Sequence, residues 1–238
     1  MAEKKNITET IPDFAARQAK YAPVAVLLRE RYGYPAWRQH LLPLDELVNC
    51  ILSQSTSDTN RDKGYDALLV RYPTWEVVRD ADPEEVIETI RPAGLANQKG
   101  PRIQEVLNTI TEQRGELSID FLNDLPLDDA RDWLMSLNGV GPKTAAIVLC
   151  FAFNRPAFPV DTHIHRVSQR IGFLPPKTNA EKAHPIMEAI VPPGDYYAFH
   201  LNVIEHGRKV CRARQPNCDA CPLTAYCDYY KNDRENGS

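Results

Sequence analysis

Apolar residues repeat along this chain with helical spacing. Ile103, Val106, Leu107 and Ile110 sit at i, i+3, i+4 and i+7, and Ile164, Val167 and Ile171 repeat the pattern further on. Val24, Leu27 and Leu28 describe another apolar face, as do Leu44, Leu47, Val48 and Ile51. Prolines fall between these stretches, at Tyr72-Pro73, Asp82-Pro83, Arg91-Pro92 and Leu125-Pro126, and each marks a helix start or stop. Asp82-Pro83-Glu84-Glu85 reads as an N-cap, a proline at the first helical position and acids in the first turn. No alternation of period two is sustained, and no repeat of solenoid length is present. The pattern predicts an all-α fold of about ten short helices. Between two helical segments, the stretch Phe153-Asn154-Arg155-Pro156-Ala157-Phe158-Pro159 reads either as a linker or as a loop within one domain.

The length of 238 residues suits one large domain or two small ones. A charged fraction of 25% with no long polar tract excludes a mainly disordered protein. No apolar run approaches the ~20 residues of a membrane span. The start, MAEKKNITETIPDF, has no apolar core and reads as a short solvated tail rather than a secretory signal. Formal net charge is −4, but from Gly139 to Arg214 ten Lys and Arg face five Asp and Glu. A nucleic-acid face needs a local patch, so the whole-chain charge does not exclude one.

Cysteine usage adds chemistry. Cys50 and Cys150 sit alone in apolar stretches and read as core fillers, whereas Cys211, Cys218, Cys221 and Cys227 fall within 17 residues. In a reducing compartment, four clustered thiols hold a metal more readily than they form disulfides. Four thiolates suit zinc or an iron–sulfur cluster, and their number alone does not choose.

The sharpest local motif is Leu137-Asn138-Gly139-Val140-Gly141-Pro142-Lys143-Thr144-Ala145. A helix ends at a glycine, turns, and restarts with proline, exposing backbone N–H groups that suit a phosphate oxygen. Read alone, this is also an ordinary turn between helices. Eighteen residues after Lys143 comes Val160-Asp161-Thr162-His163-Ile164, where Asp161 precedes an amphipathic helix as an N-cap carboxylate.

In this order, the hairpin lysine, the VDTH aspartate and the C-x6-C-x2-C-x5-C cysteines resemble the endonuclease III family of helix-hairpin-helix DNA glycosylases. The resemblance runs from about Leu44 to Cys227, and includes Ile51-Leu52-Ser53-Gln54-Ser55-Thr56-Ser57-Asp58, Gly94-Leu95-Ala96-Asn97-Gln98-Lys99 and His206-Gly207-Arg208. It implies two helical domains with an interdomain cleft: a six-helix barrel with the hairpin over residues 37–154, and residues 1–36 with 155–238 carrying the cluster loop. Lys143 and Asp161 would face each other across that cleft.

The resemblance further implies a base-excision-repair DNA glycosylase with abasic-site lyase activity toward damaged pyrimidines. Asp161 would stabilise positive charge on the deoxyribose. Lys143 would attack C1′ as a neutral amine, aided by partial burial, the hairpin helix and nearby cations, and form a Schiff base leading to β-elimination. The four cysteines would hold a [4Fe–4S] cluster. Gly139, Val140, Gly141, His163, Arg208, Arg212 and Arg214 would contact DNA, while Leu95 would be the wedge in the emptied stack. Its alternative is core packing. Ser55 stands where the family generally has glutamine, with Gln54 one position earlier, and either is a candidate to fill the gap.

Implied with these are duplex DNA carrying a damaged base or abasic site as partner, a monomer, no membrane, and a cytoplasmic, nucleoid-associated setting in a bacterium or archaeon. Two alternatives remain. One is a mismatch-specific thymine or uracil glycosylase of the same fold, and the other is a non-catalytic, metal-stapled DNA-binding module. An adenine glycosylase would place a catalytic glutamate near Cys50 and typically lack the lysine, so Cys50 and Lys143 argue against it.

Overall fold

The computed structural model describes residues 7–236, with side chains described as far as residue 232. The described residues are helical with no strand: α1 (Ile7–Thr10), α2 (Phe14–Ala19), α3 (Tyr21–Tyr32), α4 (Pro43–Ser53), α5 (Asp58–Arg71), α6 (Trp75–Asp80), α7 (Pro83–Thr89), α8 (Ala96–Arg114), α9 (Leu127–Ser136), α10 (Pro142–Ile147), α11 (Thr162–Ile171), α12 (Ala180–Ile190), α13 (Tyr196–Lys209) and α14 (Asp228–Asn236). The fold class expected from periodicity is therefore the one observed. There are more helices than ten, because turns cut apolar runs short. Asp82 ends the run after α6 and restarts it, its carboxylate accepting from the N–H groups of Glu84 at 2.9 Å and Glu85 at 3.4 Å. No helix among the described residues is long and apolar enough to cross a membrane.

The expected N-terminal tail is corrected in part. Its first six residues lie outside the described ones, but Ile7–Thr10 form a helical turn beside α12. Ile7 and Ile11, one turn apart, are both half-buried, so the segment has an apolar edge to dock.

The chain divides into two compact units, Gln39–Arg155 and the residues up to Arg38 together with those from Pro156 onward. The division falls inside the Phe153–Pro159 stretch. In the first unit α4 is the central helix, packed against α5, α8 and α10. Leu47, Val48, Ile51 and Leu52 of α4 are fully buried, and Ile103, Leu107 and Ile110 of α8 bury the stripe that the sequence pattern marks. A Cβ on Gly64 of α5 would meet the Ala93 Cβ at 2.8 Å, so glycine lets the turn Arg91–Ala93 sit directly on that helix. This seats the loop that carries Leu95.

In the second unit α11 packs on α13, and α3 packs on the same helix. Ile164, Val167 and Ile171 supply the buried face of α11. Phe158 is wholly buried and meets the Tyr196 ring edge-on at 5.3 Å and Phe199 at 6.3 Å, centroid to centroid. Asp195 is tied to α3 by Arg29 at 2.6 Å and by the Tyr21 hydroxyl.

Candidate active site

The hairpin forms as its glycines predict. α9 ends at Ser136, and Gly139 takes φ +77° in the left-handed region. Pro142 is the first residue of α10, and the Val140 N–H closes the turn onto the Leu137 carbonyl at 3.1 Å. The Val140 side chain is buried at 5% exposure, so this residue anchors the turn from beneath and offers only backbone outward. Lys143, in the first turn of α10, is exposed. This corrects the expectation of partial burial: the residue is exposed at a helix start.

Gln54 closes α4 and is already engaged. Its carboxamide donates to the Gly139 carbonyl at 3.0 Å and accepts from the Arg102 guanidinium at 3.1 Å. Ser55, next in the chain, is exposed and holds φ +53°, a costly conformation for a residue with a side chain. Leu95 holds φ +49° and is 49% exposed, so it does not pack in the core. Two strained residues in adjacent loops thus present a hydroxymethyl group and an isobutyl group to solvent.

Sequence reasoning missed a buried acid in the same unit. Glu46 lies one turn before Cys50 on α4, and the thiol donates to its carboxylate at 3.6 Å. Burial pushes the Glu46 carboxyl up, and the Cys50 contact and Arg61 only partly oppose this. The Cys50 thiol is raised well above its ordinary value by burial, then by Glu46, with the Lys143 charge pulling the other way. Lys143 therefore sits within electrostatic reach of the buried Cys50 thiol.

In the other unit Asp161 caps α11, its Oδ1 accepting the Ile164 N–H at 2.7 Å. The same helix fastens the cysteine loop. Arg166 donates to the Cys211 carbonyl at 3.1 Å and the Gly207 carbonyl at 2.9 Å, and lies 3.1 Å from the His163 Nδ1. Arg170 donates to the Cys211 Sγ at 3.3 Å and to the carbonyls of Arg212 and Ala213 at 2.7 and 2.9 Å. Neither arginine stands out in the sequence, although their spacing of four puts both on one face of α11. Arg208, Arg212 and Arg214 are exposed around the loop.

Cys211, Cys218, Cys221 and Cys227 line one pocket together with Arg170, Val210 and Pro216. Among the described residues no group of His, Cys, Asp or Glu is arranged to hold a metal ion. Burial raises the Cys221 thiol to about 11 and the Cys227 thiol as well, with the neighbouring cysteines adding to both. Four thiols held this close ionise together only around a strongly cationic body. Four thiols around one pocket, with an arginine already donating to a sulfur, fit a multi-metal cluster.

Residues 48–193 match the HhH-GPD superfamily of base excision DNA repair proteins. Endonuclease III of Thermotoga maritima is 32% identical over 198 residues, covering 83% of this chain and 88% of that protein. Endonuclease III of Sulfolobus acidocaldarius is 34% identical over 192 residues, covering 80% and 83%. Among solved structures, a non-covalent endonuclease III–DNA complex gives a TM-score of 0.77 at 29% identity, over 92% of this chain and 98% of that one. A thermostable thymine-DNA glycosylase gives 0.75 at 25% identity, over 92% and 99%. The chain belongs to the HhH-GPD superfamily of base excision DNA repair proteins. Within it, the chain is a DNA glycosylase, similar to the endonuclease III proteins over most of its length.

Proposed function

We propose that this glycosylase is bifunctional, removing damaged pyrimidines from duplex DNA and cleaving the abasic strand through Lys143. The observation that carries the reading is an exposed primary amine in the first turn after the glycine hairpin, in a chain whose relatives are endonuclease III proteins. Asp161 stabilises the positive charge that grows on the deoxyribose as the N-glycosidic bond breaks. Its cap to Ile164 uses Oδ1 and holds the carboxylate in a fixed orientation. The Lys143 amine forms a bond to C1′ as the base leaves with its electron pair and takes up a proton. Loss of the amine proton and ring opening give an iminium; removal of a C2′ proton then expels the 3′-phosphate.

Hairpin N–H groups and Arg208, Arg212, Arg214 and His163 contact the DNA strand. With the Gln54 carboxamide held by Gly139 and Arg102, Ser55 is the residue that faces the vacated position, opposite Leu95. The four cysteines hold a [4Fe–4S] cluster, which when bound supplies a four-point covalent staple for the loop that carries Arg212 and Arg214.

The test is a panel of duplexes with one lesion each: thymine glycol, dihydrouracil, uracil, a G·T mismatch and an abasic site. Strand incision at the oxidised pyrimidines and at the abasic site is expected. Base release confined to the G·T and uracil duplexes, without incision, would favour the thymine glycosylase reading instead. That alternative draws on the similarity to the thermostable thymine-DNA glycosylase.

A further inference from the structure

Lys99 is among the largest fully buried side chains of the described residues, at 1% exposure. A buried ammonium is unfavourable unless its hydrogen bonds are made good. Here Nζ donates to the Leu52 carbonyl at 2.7 Å and the Ala93 carbonyl at 2.8 Å, and burial alone lowers its pKa. No carboxylate among the described residues contributes to that shift. Both acceptors are helix-end carbonyls. Leu52 lies in the last turn of α4 and Ala93 ends the turn Arg91–Ala93, where orphan carbonyls carry negative partial charge.

The position of those two carbonyls gives the ammonium its significance. Leu52 is three residues before Ser55, and Ala93 is two before Leu95. The two loops lie side by side: a Cβ on Gly94 would lie 3.9 Å from the Thr56 Oγ1. Lys99 is itself in the first turns of α8, and its own N–H donates to the Leu95 carbonyl at 3.0 Å. One residue thus holds the Leu95 loop by backbone and ammonium together, and the Ser55 loop by ammonium. The strained conformations of Ser55 and Leu95 persist only where the surroundings over-determine them.

We infer that Lys99 is a positioning residue whose buried ammonium locks the Ser55 and Leu95 loops into a single two-pronged unit that enters the duplex when a nucleotide is everted. The inference rests on the glycosylase reading above and adds a residue to it that touches neither substrate nor reacting atoms. An abasic nucleotide in a duplex must still leave the stack, whereas the same nucleotide in a single strand has no stack to leave.

The test compares Lys99→Met with the wild-type full chain, both checked for folding by circular dichroism. Borohydride trapping is measured on an abasic site in a duplex and in a single-stranded oligonucleotide. A displacement of the prongs by about 1 Å is enough for a loss of tenfold or more, so the duplex rate should fall by at least about that factor while the single-strand rate stays within about twofold. Equal losses on both substrates, or no loss on the duplex, would overturn the inference. Should Lys99→Met not fold, Lys99→Gln keeps a donor, and hydrogen exchange then decides. Amides of Ser55–Thr56 and Gly94–Leu95 should loosen together; loosening of one loop alone, or of neither, refutes the lock. Failure of the wild type to trap on either substrate would instead refute the lyase reading.

Discussion

Gly139→Ala should be among the most damaging single changes in the hairpin. Two separate costs apply. Residue 139 holds φ +77°, and placing an L side chain there costs about 1–2 kcal/mol. The new Cβ would also fall 2.3 Å from the Arg102 Cδ and 2.4 Å from its Nε, so the arginine must move. Arg102 is long and flexible and swings aside at little packing cost, so the shift is felt mainly through the hydrogen bond it gives up, about 0.5–1.5 kcal/mol. Moving Arg102 breaks its 3.1 Å bond to Gln54, whose other end holds the Gly139 carbonyl, so the hairpin loses its tie to α4 at the same time. The summed expectation is about 1.5–3.5 kcal/mol, read as a shift of the urea midpoint at constant slope. The double variant Gly139→Ala, Arg102→Ala removes the collision but keeps the backbone strain, so Gly139→Ala should cost less in the Arg102→Ala background than in the wild type. Affinity for an abasic duplex should fall in the order of the stability loss. A single-variant loss below about 1 kcal/mol, or no relief when Arg102 is truncated, would refute the reasoning.

Further changes separate structural from chemical roles. Burial holds the Glu46 carboxyl above its ordinary value, so between the unfolded and folded pKa the native state keeps a proton that the unfolded chain has lost, and stability falls as pH rises through that window. Glu46→Gln abolishes this slope, so the variant should gain on the wild type in urea unfolding as the pH is raised above the ordinary carboxylate range; a gain in the opposite direction would show that ionised Glu46 is stabilised. Asp161→Asn should keep the cap on α11 and lose base-release activity, whereas Asp161→Ala should lose both, with a stability cost of about 0.5–2 kcal/mol. Equal activity in the Asn variant and the wild type would remove the carboxylate from the chemistry. Purified protein should be brown with about four irons per chain, and Cys221→Ala should lower the iron content; a colourless, zinc-loaded protein would contradict the cluster.

Local patterns reach only as far as local interactions do. The stripe Ile103, Val106, Leu107, Ile110 and the cap Asp82-Pro83 lie within a few residues of their partners, so sequence spacing describes both correctly. Lys99 sits four residues before Ile103 on that same buried stripe, and a lysine there reads as solvated until its acceptor at Leu52, 47 residues away, is known. A lysine on an apolar stripe was the available signal. Gln54 and Ser55 could not be told apart for the same reason, because the carboxamide is held by Gly139, 85 residues away, and by Arg102, 48 away. Leu95 reads as core or wedge with equal ease, and only its left-handed backbone turns it outward. Lys143 is exposed in the first turn of the helix that restarts at Pro142, just before the buried Thr144 and Ala145.

The most direct test of the central chemistry is reductive trapping of the wild type and Lys143→Ala on a duplex with one abasic site. Wild-type protein should give a covalent adduct stable to denaturation, with a peptide map locating the linkage at Lys143, and the alanine variant should give none while still binding the duplex. An adduct of undiminished yield in Lys143→Ala would contradict the assignment of the nucleophile.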